Sequence, residues 1–182
     1  MDTIALFGGS FDPPHIGHEA IVKALQTFKD VDKIIVMPTF LNPFKSKFHA
    51  PATLRMEWLK KIFKEYKNVE ISDFEVIQKR QVASIDTVKH LLTKYTKIYL
   101  VIGADNLNSL DKWQDYYELK KLVSFVVVPR NNIEIPDNFL KLDINEDISS
   151  TSLRKKSNTL KLPNICAKQI QKYYKENSCK IE

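Results

Sequence analysis

Glycine is scarce in this chain, with four in 182 residues, and cysteine is scarcer, with two, Cys166 and Cys179. The cysteines form no C-x-x-C pair and are too few for a disulfide framework, which points to a reducing compartment. Cys166 fits the apolar side of a helix and is expected to be buried, whereas Cys179 lies in a polar tail. No apolar run approaches the ~20 residues of a membrane span. The stretch Ile4–Phe7 is too short for a signal peptide and has no basic segment before it. A cytoplasmic protein with no membrane partner is the expectation. Repeats, linkers and low-complexity segments are also missing. The net charge of +6 is dispersed and makes no basic stripe interleaved with aromatic residues, so no nucleic-acid partner is expected.

What is present is an ordinary globular composition, with 43% hydrophobic residues. A chain of this length buries roughly 70% of its extended surface, enough for one real core. Apolar runs at Ile4–Phe7, Lys33–Pro38, Lys97–Gly103 and Ser124–Pro129 read as buried strands, with Val69–Ser72 and Leu140–Ile144 as shorter candidates. Helical spacing separates them: Ile21, Ala24, Leu25 and Phe28, then Trp58, Leu59, Ile62, Phe63 and Tyr66, then Ile85, Val88, Leu91, Leu92 and Tyr95. A helical patch covers Tyr116–Val123, and short helices are expected at Ser150–Lys156 and Ile165–Glu176. Strands alternating with helices, each strand nearly all apolar, predict an α/β fold. The layout is a doubly wound, Rossmann-like parallel sheet with helices on both faces and a small C-terminal helical segment. One domain over residues 1–182 is expected. Ligands of such sheets sit outside the carboxyl ends of the strands, where the strand order switches.

The few glycines fall at such ends. Gly8 and Gly9 follow the first strand, Gly103 ends a later one, and Gly17 lies at the head of the first helix. Glycine allows positive φ and close approach of backbone to a ligand, and a helix head offers free N–H groups to an anion. A tight strand-to-helix turn explains Gly8-Gly9 equally well. His15 and His18 add to the signal, because three-residue spacing puts them on one side of the first helical turn, around Gly17. A metal pair is a weaker alternative, since zinc needs three or four ligands and His49 and His90 have no matching spacing. Ordinary core histidines are another, less expected for two together in a turn rich in proline and glycine.

The segment "GGSFDPPHIGH" resembles the signature of the nucleotidyltransferase superfamily, and in its longer form that of the bacterial nicotinate-nucleotide adenylyltransferase family. "IGADNL" followed by Trp113 is similar to that family's nicotinate-nucleotide segment, and "ISSTSLR" to its second ATP motif. The resemblance covers nearly the whole chain. It implies an adenylyltransferase that moves AMP from ATP to nicotinate mononucleotide and releases pyrophosphate. It further implies that Gly8, Gly9, Ser10 and Phe11 line the ATP site by their backbone, that His15 and His18 meet the phosphates, and that Lys45 and Arg154 share the catalytic work. Ser150 and Thr151 would bind phosphate at a helix head, where plain capping is the alternative. Asp105 would hold ribose hydroxyls and Gly103 would let the chain pass close to the nucleotide, where a strand-ending turn followed by a helix cap is the alternative. Ser84, Asp105, Trp113 and Arg130 would bind the nicotinate nucleotide, although Ser84 serves equally as a helix cap and Trp113 as core. Arg55 reads as part of a charged helix face. Mg²⁺ is expected only as a companion of the substrate phosphates, with no metal-ligand set of its own.

Three loops depart from the family pattern: "NPFK" puts Phe44 where histidine is common, "VAS" stands for S-Y-T, and "RNN" for R-P-G. Other acceptors within the superfamily, nicotinamide mononucleotide or phosphopantetheine, and cytidylyl transfer are the rival readings. A basic nucleic-acid-binding module is a more distant one.

Overall fold

The computed structural model describes residues 2–28, 30–44, 46–130, 133–144 and 161–177. Lys45, Ser150, Thr151, Arg154 and Cys179, and the helix expected at Ser150–Lys156, lie outside the described residues.

Among the described residues six strands form one sheet: β1 (Thr3–Gly9), β2 (Lys33–Pro38), β3 (Val69–Ile71), β4 (Lys97–Gly103), β5 (Ser124–Val128) and β6 (Leu140–Lys141). Their order is β3-β2-β1-β4-β5-β6, and every neighbouring pair is parallel. The sheet is therefore the doubly wound one expected, and its order reverses between β1 and β4. Gly8 and Gly9 end one of these two strands and Gly103 ends the other.

The helices are α1 (Ile16–Leu25), α2 (Ala52–Ile62), α3 (Phe74–Ile77), α4 (Ser84–Leu92), α5 (Tyr116–Leu122) and α6 (Ala167–Glu176), with a 3-10 helix at Ala104–Lys112. Alternate strand residues face opposite sides, and both sides are apolar. Ala5, Phe7, Ile34, Val36, Val101 and Val126 pack with Val22, Leu59 and Ile170, which places α1, α2 and α6 on one face. Ile4, Leu6, Ile35, Leu100 and Val127 pack with Val88, Leu110 and Leu119, so α4, α5 and the 3-10 helix cover the other.

The helices stop earlier than their apolar spacing suggests. Phe28, Tyr66 and Tyr95 lie past the ends of α1, α2 and α4, in turns that fold these rings back onto the same core. Cys166 is buried, as expected, but stands at the cap before α6 rather than within it. Burial pushes its thiol up to about 11, so it remains protonated and unreactive at neutral pH.

Arg55 is the clearest departure. Its position on α2 reads as a solvated charged face, yet it is 1% exposed. The guanidinium turns inward to backbone carbonyls instead of outward to water.

Candidate active site

A cleft of about 780 Å³ opens at the carboxyl ends of β1 and β4, on the line where the strand order reverses. It is lined by Gly8, Gly9, Ser10, Phe11, His15, His18, Ser84, Gly103, Asp105, Trp113 and Arg130, among others. Every site residue read from the sequence that lies among the described residues is thus brought to one cavity.

No glycine has positive φ; Gly9 and Gly103 act by close approach, whereas a Cβ on Gly8 would meet open space. A Cβ on Gly9 would stand 3.2 Å from the Phe11 ring. A Cβ on Gly103 would overlap the Asp105 carboxylate. The left-handed residue of the loop is Phe11, at φ 46°. Its ring is buried against Phe7 at 5.3 Å and His18 at 4.8 Å, so the side chain anchors the loop while the backbone runs past the cleft.

His15 caps α1 with extended backbone, and His18 sits one turn in. Their rings stack at 3.6 Å with 23° between planes. The His15 backbone N–H donates to Nδ1 of His18 at 3.1 Å. Nδ1 is therefore an acceptor, and the neutral ring must carry its proton on Nε2. His15 is 1% exposed, and among the described residues neither of its ring nitrogens has a hydrogen-bond partner. Buried polar atoms rarely stay unpaired, so these point to a ligand's place.

Both imidazoles are neutral at pH 7. Burial, with the nearby Arg130 charge adding to it, pulls His15 down to about 3. Burial, then His15 and Arg130, holds His18 well below its usual 6.5. The positive charge that reaches the two rings is that of Arg130, whose Nη1 lies 3.8 Å from Asp105; Arg80 also lines the cleft. The Asp105 side chain is half exposed, in the first turn of the 3-10 helix.

Trp113 ends that 3-10 helix, half-buried against the second core layer, with its indole N–H buried and unpaired among the described residues. Ser84 is the first residue of α4. Ala83 takes the cap position before it, so Ser84 does not cap the helix. Thr39 and Glu75 also line the cleft and belong to none of the motifs in the sequence. The Thr39 hydroxyl is buried, unpaired among the described residues and in the cleft wall. Its place just past the strand-ending Pro38 was the available signal. Glu75 lies on the four-residue α3, too short for periodicity to reveal. It accepts a 2.8 Å hydrogen bond from the Thr87 hydroxyl, and burial pushes its carboxyl up to about 7.

These two shifted groups make stability depend on pH in opposite senses. His15 binds its proton near 6.5 when unfolded but only near 3 when folded. Its contribution is complete above pH 6.5 and is lost as pH falls toward 3. Glu75 releases its proton near 4.5 unfolded and about 7 folded, so its contribution is complete below pH 4.5 and is lost as pH rises through 7. Measured by urea unfolding, His15→Gln should gain about 2 kcal/mol relative to wild type between pH 7 and pH 5. Glu75→Gln should gain about 2–3 kcal/mol relative to wild type in the reverse direction. Curves for variant and wild type that run parallel would contradict both assignments.

Among the described residues no group of three or more His, Cys, Asp or Glu is placed to hold a metal ion, and no helix is long and apolar enough to cross a membrane.

A crevice of this kind, at this place in a parallel sheet, is where open α/β folds bind their ligands, dinucleotides among them. Comparison with known proteins narrows the class. Residues 6–156 match the cytidylyltransferase-like family. A protein of Sulfurimonas denitrificans named "probable nicotinate-nucleotide adenylyltransferase" is 65% identical over the full length of both chains. One of the same name from Nitratiruptor is 47% identical over 94% of this chain and 98% of its own. In fold, the chain is similar to the Plasmodium falciparum nicotinic acid mononucleotide adenylyltransferase complexed with NaAD. The TM-score is 0.81 at 20% identity, covering 98% of this chain and 100% of the other. The chain belongs to the cytidylyltransferase-like family of nucleotidyltransferases, in the group of nicotinate-nucleotide adenylyltransferases.

Proposed function

We propose that this chain transfers AMP from ATP to nicotinate mononucleotide, giving nicotinate adenine dinucleotide and pyrophosphate for NAD biosynthesis. The observation that carries it is the buried, unpaired His15 imidazole stacked on His18, in a cleft shared with Arg130 and the strand-end glycines. Polyphosphate gives such N–H donors and such a cation their partners. The names of the full-length relatives support the acceptor.

In the reaction a phosphate oxygen of the mononucleotide attacks the α-phosphorus of ATP. The bond from that phosphorus to the bridging oxygen breaks, and pyrophosphate leaves with the electron pair. The attacking phosphate is already anionic, so no general base is needed and no enzyme-bound intermediate forms. The protein's work is alignment and charge stabilisation. His18 donates its Nε2–H to phosphate oxygen, His15 donates beside it, and Arg130 balances the growing charge. Gly8, Gly9, Ser10 and Phe11 pass their backbone along the nucleotide. Asp105 accepts from ribose hydroxyls. Trp113 stacks on the pyridine ring, and Ser84, at the head of α4, meets its carboxylate. Lys45, Ser150, Thr151 and Arg154 are assigned to the phosphates on the sequence motifs alone. Mg²⁺ would be held by the substrate phosphates and water, and would supply charge neutralisation there. The donor set of the phosphate end, imidazoles and a guanidinium, suits an anion rather than a resident cation. Residues 1–182 act as one nucleotidyltransferase domain, and the protein works in the cytoplasm without a membrane or nucleic-acid partner.

Pyrophosphate release with ATP and a panel of acceptors tests this reading. Nicotinate mononucleotide should be the best acceptor. Preference for nicotinamide mononucleotide or phosphopantetheine, or for CTP as donor, would overturn it. Gly103→Ala tests the ribose assignment, because the new Cβ must push the Asp105 carboxylate aside. Two lost ribose hydrogen bonds at about 1 kcal/mol each raise KM roughly 10–30-fold with little change in melting temperature. An unchanged KM would remove Asp105 from the site.

A further inference from the structure

Beneath the cleft, and outside its lining, Arg55 spends its guanidinium on the backbone of two loops. Nε donates to the Ala50 carbonyl at 2.9 Å, and Nη2 to the carbonyls of Thr39 at 2.9 Å and Phe40 at 3.0 Å. Nη1 donates to the Ser10 carbonyl. Asp12, 3% exposed and itself in the loop after β1, ties the same loops through N–H groups rather than carbonyls. It accepts the backbone N–H of His49 at 2.8 Å and of Ala50 at 3.0 Å, and the hydroxyl of Tyr174 from α6. Ser10 and Thr39 both line the cleft, and Arg55 does not. The backbone of Thr39 also donates to the Gly9 carbonyl at 2.9 Å. A lysine offers no planar fork to hold divergent carbonyls in this way, so the site specifies arginine.

We propose that Arg55, backed by Asp12, is a positioning residue for adenylyl transfer: it locks the loop after β1 to the loop after β2 through their carbonyl oxygens, and so sets the floor on which the phosphates align. This rests on the function proposed above. Misplacing reacting groups by about 1 Å costs on the order of 10²-fold in rate.

The test compares Arg55→Lys, Tyr174→Phe and Leu119→Ala, the last a core truncation in α5 on the opposite face of the sheet. Arg55→Lys should lose about 100-fold in kcat, with KM for ATP changed by less than about 5-fold, since alignment is spoiled more than binding. Tyr174→Phe, which keeps the ring packing, should lose roughly 3–10-fold in kcat, in line with one weakened hydrogen bond. Leu119→Ala should melt earlier but keep kcat when assayed well below its midpoint. Amide hydrogen exchange at residues 8–11 and 39–42 should quicken in Arg55→Lys, a readout that needs no turnover. It separates failure of the clamp from failure of the functional reading: an inactive wild type with quickened exchange in the variant would sink the reaction and keep the clamp. Unaltered exchange with wild-type kcat in Arg55→Lys, or in Tyr174→Phe should the lysine variant not fold, overturns the proposal. So does a kcat loss in Leu119→Ala as large as that in Arg55→Lys.

Discussion

Replacing His18 with alanine should lower kcat about 10²–10³-fold while the protein stays folded, the expected cost of one preorganised donor to a developing oxyanion. The chain itself fixes that donor. Nδ1 of His18 is committed to the His15 backbone N–H, and burial keeps the ring neutral, so Nε2 carries the proton at every pH of interest. Alanine is a good helix former, and the lost ring contacts with Phe11 and His15 cost stability on a smaller scale than activity. His18→Gln, whose amide N–H reaches the place of Nε2–H, should recover part of the loss, whereas His18→Asn should not. Steady-state pyrophosphate release beside a thermal melt is the measurement. A fully active alanine variant would remove His18 from the mechanism.

Arg130→Ala should follow closely, with kcat/KM down roughly 10–100-fold, the worth of a hydrogen bond to a charged group. Because the imidazoles are uncharged, Arg130 is a lining cation of the cleft whose charge acts on both of them. Asp105, its partner at 3.8 Å, is half exposed and can be resolvated, so the protein should tolerate the loss. A second readout separates charge from packing. The Arg130 field helps to depress both histidines, and its removal should move the His15 pKa upward, though burial keeps it below 6.5. Arg130→Lys should restore that field but little of the rate, since an ammonium does not reproduce the planar fork. An alanine variant with unchanged kcat/KM would contradict this account.

Much of the sheet was legible because its strands are nearly continuous apolar runs closed by Pro38, Gly103 and Pro129, and both faces are covered. The cleft was legible too, since in a chain with four glycines three fall at the two strand ends flanking the switch. Other features were hidden for identifiable reasons. Apolar rings in exit turns mimic one more helical turn, which is how Phe28, Tyr66 and Tyr95 lengthened the expected helices. An α3 of four residues carries no period, so Glu75 went unseen. Arg55 went unrecognised because arginine on a helix is normally solvated; only the fold reveals that its acceptors are carbonyls from two loops. The protonation state of the histidine pair was equally invisible, because burial and the Arg130 charge come from elements far apart in sequence.

The most direct test is nitrogen NMR of the four histidines during titration with the magnesium complex of a non-hydrolysable ATP analogue at pH 7. His15 and His18 should begin as neutral rings, with His18 protonated on Nε2, and their donor nitrogens should shift on binding while His49 and His90 stay still. Shifts at His49 or His90 with His15 and His18 unmoved, or an imidazolium at His18 in the free protein, would contradict the account.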